Sequence, residues 1–200
     1  MRFSLKLFVL FLYVPSAQAQ TVAETKDGRQ VILNNNGTWI YADSLCNYFT
    51  HTKTYADGKS VTYANNSIKI NGEQGKSGLE VTLLKTSQSV VVNIAIVSPE
   101  IWCTDENTKA IIVFTDGKKI ELANMGGKNC KGLFSCFLSP VMGNKKELER
   151  LIGKSIKTIT ISYAINNSET TETNTVETLL TKGEAFRIKT IMECLSQQKP

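Results

Sequence analysis

Histidine is nearly absent from this chain: His51 is the only one among 200 residues. A zinc site built on histidines is therefore excluded, and no Cys-x-x-Cys pair offers a thiolate substitute. Proline is scarce, at 4 residues. Neither a polyproline segment nor a Pro-rich linker is present. No concentrated basic stretch occurs either. The formal charge is +5, and it falls to 21 basic against 18 acidic residues once Arg2 and Lys6 of the N-terminal segment are set aside. That balance is too mild for a nucleic-acid partner, which needs a dense basic footprint. The chain is 42% hydrophobic and 20% charged. It has enough apolar material for a core, which excludes wholesale disorder.

Long apolar runs are missing too. The longest is Leu7 to Val14 (LFVLFLYV). A spanning helix needs roughly 20 apolar residues, and this run falls far short. Arg2 and Lys6 precede it, Pro15 and Ser16 end it, and Ala17-Gln18-Ala19 has the small-x-small pattern of a cleavage site. Residues 1–19 thus read as a secretory signal peptide. The expected product begins at Gln20, has no transmembrane span, and resides in the periplasm or outside the cell.

Five cysteines follow that segment: Cys46, Cys103, Cys130, Cys136 and Cys194. In an oxidising compartment they are disulfide candidates. Their odd number leaves at least one thiol free or paired with another chain. Cys130 and Cys136 are close enough to clip one loop, and Cys194 is placed to tie the last element to the body. The pairing itself stays open.

Apolar residues alternate more often than they recur at helical spacing. Val90, Val92, Ile94 and Ile96 share one face of a strand. Ile111 and Val113, then Ile120 and Leu122, flank Asp116-Gly117, a dipeptide suited to a type I′ hairpin turn. Ile159, Ile161 and Tyr163 mark a later strand. Asn144, three residues before Glu147, suggests a capping box ahead of Leu148, Leu151 and Ile152, with Gly153 as the stop. A second helix runs from about Gly183 to Leu195, with Ile188, Ile191, Met192 and Leu195 as its apolar stripe. The polar run Asn166 to Thr175 reads as a solvated loop between paired strands.

The fold class expected is mainly β with some α: an antiparallel sandwich or sheet with two short helices towards the C-terminus. Residues 20–45 form a small meander, with strands Val22 to Thr25, Gln30 to Leu33 and Thr38 to Tyr41 and turns at Asp27-Gly28 and Asn36-Gly37. Residues 46–200 form the antiparallel β-rich body. A template D-G-[RK]-x-[VI]-x-[LY]-x-N occurs three times, starting at Asp27, Asp57 and Asp116. Its physical content is a tight turn, a solvated basic residue, two inward apolar residues two apart, and a turn-prone Asn. Repeated hairpin chemistry explains it without a solenoid.

The stretch Asp27 to Leu33 followed by Gly37-Thr38-Trp39-Ile40-Tyr41 resembles a motif near the start of exported bacterial proteins of unknown function, of the Bacteroidetes type. The Asp116-Gly117 hairpin, the Asn129-Cys130-Lys131-Gly132 element and the closing Glu193-Cys194-Leu195 are similar as well. The resemblance implies export and a β-rich module, and it carries no catalytic residue over.

Candidate chemistry is sparse. His51 lies five residues from Cys46 and could also face Cys103 or Cys136, which would make a thiol nucleophile with a base. Without a local signature, disulfide cysteines and a surface histidine are the better account. Asp105-Glu106-Asn107 lacks the rest of a calcium loop and reads as a turn. Gly126-Gly127-Lys128 lacks the upstream glycine and following Ser or Thr of a phosphate loop. Lys118, Lys119, Lys128, Lys131, Lys145 and Lys146 read as solvated lysines guarding sheet edges. Trp39, Tyr41, Tyr48, Tyr55 and Tyr63 concentrate aromatic rings in a short stretch, and such rings with polar rims bind sugars or peptides. They are the candidate ligand-binding residues. No catalytic residue, metal or cofactor is expected. The function expected is a non-enzymatic binding or structural module of the cell envelope, with an envelope protein or glycan as partner. The rival readings are an exported thiol-dependent enzyme and a carbohydrate-binding module.

Overall fold

A computed structural model describes residues 21–24, 30–33, 37–41, 45–72, 77–98, 102–167 and 170–197. The segment 1–19 and the turns at Asp27-Gly28 and Asn36 lie outside them. Thirteen strands and three helices occur among the described residues. They are β1 (Thr21–Glu24), β2 (Gln30–Leu33), β3 (Trp39–Tyr41), α1 (Leu45–Phe49), β4 (Thr50–Thr54), β5 (Ser60–Ala64), β6 (Ile68–Asn71), β7 (Gly78–Lys85) and β8 (Val90–Val97). There follow β9 (Lys109–Phe114), β10 (Lys119–Ala123), β11 (Leu133–Leu138), α2 (Lys145–Gly153), β12 (Ile156–Asn167), β13 (Thr170–Leu179) and α3 (Lys182–Gln197). The fold is mainly β, with antiparallel pairing throughout the described ladders and two of its helices near the C-terminal end.

The strands form three sheets. One is the meander β1-β2-β3, another is β10-β9-β12-β13, and the largest is β11-β8-β7-β5-β4 with β6 also on β7. One apolar core joins them. Ile32 of the meander, Ile94 of the largest sheet, Ile112 and Ile161 of the smaller, and Ile191 of α3 belong to the same buried cluster. The alternation read from Val90 to Ile96 is real: all four inward residues are buried. Full burial of each such side chain contributes about 1.5–3 kcal/mol. Helix α3 touches β4, β6 and β7 of the largest sheet and β12 of the smaller one, and its stripe Ile188, Ile191, Met192 and Leu195 is buried.

Several local expectations are corrected. Within the run read as a loop, Asn166–Asn167 and Thr170–Thr175 are strand: β12 and β13 stay in register out to Asn167 opposite Thr170. Threonine is β-branched and fits a pleated ladder even where no apolar residue is present, so polarity alone misreads the segment. Asn144 caps α2 without a side-chain bond. Its amide instead accepts from the Ser139 N–H (2.8 Å) and donates to the Phe137 carbonyl (2.7 Å), holding the 3-10 turn Pro140–Met142 to the end of β11. The side-chain capping box belongs to α3. There Thr181 Oγ1 accepts from the Glu184 N–H (3.3 Å), and the Glu184 carboxylate accepts from the Thr181 N–H (2.7 Å). Two donors are thereby satisfied reciprocally.

The two described Asp-Gly turns are alike, and neither is the two-residue form. The Phe114 N–H donates to the Lys118 carbonyl (2.9 Å), and the Gly117 N–H donates to the Phe114 carbonyl (3.0 Å). Tyr55, Gly58 and Lys59 repeat the pattern. Gly117 sits at φ 78° and Gly58 at φ 79°. A left-handed glycine at this position gives the three-residue loop with a G1 bulge. Asp116 and Asp57 accept the N–H two residues on, at 3.1 Å in each case. The template is thus turn chemistry. Its inward pair holds only once: Ile120 and Leu122 are buried, but in β5 the buried residue is Thr62, so Val61 and Tyr63 lie on the opposite face.

Two disulfides form, Cys46–Cys194 and Cys103–Cys130. The Cys130–Cys136 clip does not, because Cys136 points inward from β11, opposite Val92 of β8, and is 2% exposed. Cys103–Cys130 sits beside the antiparallel bridge between Thr104 and Asn129. The Asn129 side chain organises this turn, accepting from the Lys131 and Leu133 N–H groups at 3.1 Å each and donating to Thr104 Oγ1 at 2.9 Å. Asp105 accepts from the N–H groups of Asn107 and Thr108, so the acidic run is a turn between strands.

Candidate functional site

The hairpin β4–β5 divides its residues between two faces. Thr52 pairs hydroxyl to hydroxyl with Thr62, and Thr54 with Ser60, each at 2.9 Å. The odd-numbered residues point the other way. There His51 stands opposite Tyr63, their rings stacked with centroids 5.6 Å apart and planes at 21°. The Tyr63 hydroxyl meets the Tyr55 hydroxyl at 2.6 Å. Lys53 Nζ lies 5.0 Å from the Tyr55 ring centre. That is within reach of a cation–π attraction. The hydrogen bond with Tyr55 raises the Tyr63 phenol above its ordinary value, because the neutral form is the one the bond stabilises.

The next feature is a break in the strand. Tyr63 pairs with Leu84 and Ile68 with Val81, so the four residues from Ala64 to Ser67 stand against only Thr82 and Leu83. Two extra residues bulge out, and such bulges re-aim side chains. Asn65 is fastened in place. Its amide donates to the Tyr48 carbonyl (2.6 Å), and its oxygen lies 2.7 Å from His51 Nδ1. The Ser67 hydroxyl donates to the Glu80 carboxylate and holds the far end of the bulge.

The bulge, α1 and α3 together enclose a groove of about 310 Å³ lined by Tyr48, Phe49, Asn65, Asn66, Arg187 and Ile191. Arg187, Ile191 and Cys194 follow at i, i+4 and i+7 on one side of α3. The Cys46–Cys194 bond fastens α1 along that side. Phe49 turns into the core, whereas Tyr48 is 66% exposed, with its ring edge-on to Phe49 at 5.0 Å.

Of the aromatic residues singled out from sequence, the structure brings Tyr55 and Tyr63 together on one face and sets Tyr48 on the groove wall. Trp39 and Tyr41 belong to β3 in a different sheet. Trp39 is 49% exposed there, and the Tyr41 side chain lies outside the described residues. His51 pairs with no cysteine: its partners are Asn65 and Tyr63, while Cys46 and Cys103 are consumed by disulfides. The one free thiol, Cys136, is pushed up to about 11, first by burial and then by the Glu147 carboxylate. A thiol so placed is a poor nucleophile. Among the described residues no three of His, Cys, Asp and Glu converge as metal ligands do. None of the described helices is long and apolar enough to cross a membrane.

Sequence reasoning misses Asn65 and Asn66 as wall residues, and Arg187 altogether. The only local signal is the Asn-Asn pair interrupting an alternating strand. Compared with protein-family models, with curated proteins and with solved structures, the chain matches none.

Proposed function

We propose that this protein is a non-enzymatic binding module of the bacterial cell envelope, exported to the periplasm or beyond it. Its recognition surface is the solvent face of the β4–β5 hairpin. The observation that carries this reading is the Tyr55–Tyr63–His51 ladder. His51 stacks on Tyr63, and the Tyr63 hydroxyl bonds that of Tyr55, all outside the core, where packing does not call for them. The signal-like segment 1–19, the resemblance to exported Bacteroidetes-type proteins and the two disulfides support the compartment. The buried, high-pKa Cys136 weighs against the thiol-dependent enzyme.

A glycan is the partner class this face suits, since tyrosine rings with paired hydroxyls and a flanking lysine offer apolar faces and polar edges together. The test is co-sedimentation of the purified protein with isolated envelope fractions. Saturable binding that is lost in the Tyr55→Ala/Tyr63→Ala double variant is expected. Loss of that binding after glycosidase treatment of the fraction identifies the glycan. Absence of saturable binding overturns the module reading. Binding that survives the double variant moves the surface elsewhere.

A further inference from the structure

The groove between α1, the bulge and α3 contains a charge with no partner among the described residues. Arg187 is half-buried, and among the described residues no hydrogen bond or ion pair engages its guanidinium. Arg150, the other arginine of the body, donates to the Lys119 carbonyl, and on α3 itself Lys189 pairs with Glu193. The planar fork of an arginine suits a carboxylate held by two parallel bonds. The rest of the lining completes a receptor. Asn66 carries an amide with no partner among the described residues, whereas Asn65 spends both ends of its amide on Tyr48 and His51. Tyr48 supplies the exposed ring of the wall, with Phe49 and Ile191 buried behind it.

We infer that this groove is a binding site for a small organic monocarboxylate, with Arg187 as the carboxylate receptor and Asn66 as the second polar contact. Charge count selects the class. Among the described residues the lining holds one formal positive charge and no acid, which matches a monoanion. A phosphate dianion would remain half neutralised. The groove encloses about 310 Å³. Ligand pockets run from roughly 300 Å³ to roughly 1000 Å³, so this one is at the small end. The ligand is therefore of monosaccharide or amino-acid size, with a ring or short chain lying against Tyr48. The groove stands on residues distinct from the hairpin ladder, so this site and the envelope-binding reading fail separately.

The disulfide explains why the site is built here. Tyr48 and Phe49 belong to a helix of five residues, too short to hold its own position. Cys46 anchors that helix to Cys194, next to Ile191 on α3. Reduction should therefore loosen the wall and weaken ligand binding together.

The experiment is a ligand titration of the oxidised protein followed by NMR of the Arg187 Nε–H and the Asn66 side-chain amide. The probes are acetate, D-glucuronate, D-glucose as the neutral counterpart of glucuronate, and inorganic phosphate. Saturable shifts of both signals are expected with acetate and more tightly with glucuronate, with glucose at least about 10-fold weaker. Arg187→Gln should abolish the shift at Asn66, and Arg187→Lys should keep part of it, because a point charge replaces the fork. The wild-type signals need no variant to fold. Absence of saturable shifts with both carboxylates up to about 50 mM, far above the weakest specific affinities, overturns the site. So does phosphate binding tighter than glucuronate, or glucuronate binding undiminished in Arg187→Gln.

Discussion

Cys46 and Cys194 are bonded across 148 residues of chain, and through that bond the five-residue α1 is held against the 16-residue α3. A loop of that length gives a chain-entropy contribution of about 5 kcal/mol, of which native-state relaxation commonly removes part. The Cys46→Ser/Cys194→Ser double variant should lose about 3–5 kcal/mol in urea unfolding. A loss below about 1 kcal/mol, under the usual range for a native disulfide, would show that α1 docks without the bond.

Cys136 should behave as a core residue. The native protein should take up no alkylating reagent at pH 8, and one equivalent after denaturation without reductant, measured by intact mass. Two equivalents or more in the native state would contradict both the disulfides and the burial. Cys136→Ser should cost about 1–3 kcal/mol, since it buries a hydroxyl in an apolar site.

The same thiol predicts a pH dependence. Its folded pKa is raised to about 11 by burial. The folded state therefore keeps a proton that the unfolded chain releases at about pH 8.5. Its contribution is whole below the unfolded value and is lost as pH rises to about 11. Between these limits the urea midpoint of the wild type should fall more steeply with pH than that of Cys136→Ala. Parallel slopes would refute the assignment.

Tyr55→Phe removes the hydroxyl that stabilises the neutral Tyr63 phenol. The Tyr63 titration, followed by NMR of its ring signals, should move down towards the ordinary tyrosine value. A Tyr63 value unchanged in Tyr55→Phe would mean that the two hydroxyls are not bonded in solution.

Asn124 closes the third copy of the repeated template and is buried. Its amide donates to the Asp105 carbonyl (2.8 Å) and accepts from the N–H groups of Gly126 (3.1 Å) and Ser135 (2.9 Å). Asn124→Ala takes the acceptor away from the Gly126 and Ser135 N–H groups and should cost about 2–3 kcal/mol. Thr181→Ala removes only one arm of an exposed capping box and should cost about 1 kcal/mol. For a chain of this size each kcal/mol lowers Tm by about 2–4 °C, so calorimetry separates the two.

Strand identity is legible wherever alternation is strong. Val90 to Ile96 and the Asp116-Gly117 hairpin need only period-two burial and a positive-φ glycine. Two local misreadings have one cause: a polar residue is judged by type without its partner. The threonines of β13 are strand because β12 lies beside them, and Asn144 serves Ser139 and Phe137 rather than its own helix. Val61 and Tyr63 look inward by pattern. They face outward because β5 buries Thr62 instead.

Sequence by itself determined the mainly-β class, the helix at the C-terminal end, the place of the Asp116-Gly117 turn, and the presence of an unpaired cysteine, because these depend on spacing, parity and local backbone preference. Tertiary structure alone decided which cysteine stays free, which rings share a face, and that Arg187 and Asn66 line one groove. Those facts depend on contacts between elements far apart along the chain. Pairing, sheet order and a two-residue bulge set such contacts, and no periodicity along the chain encodes them.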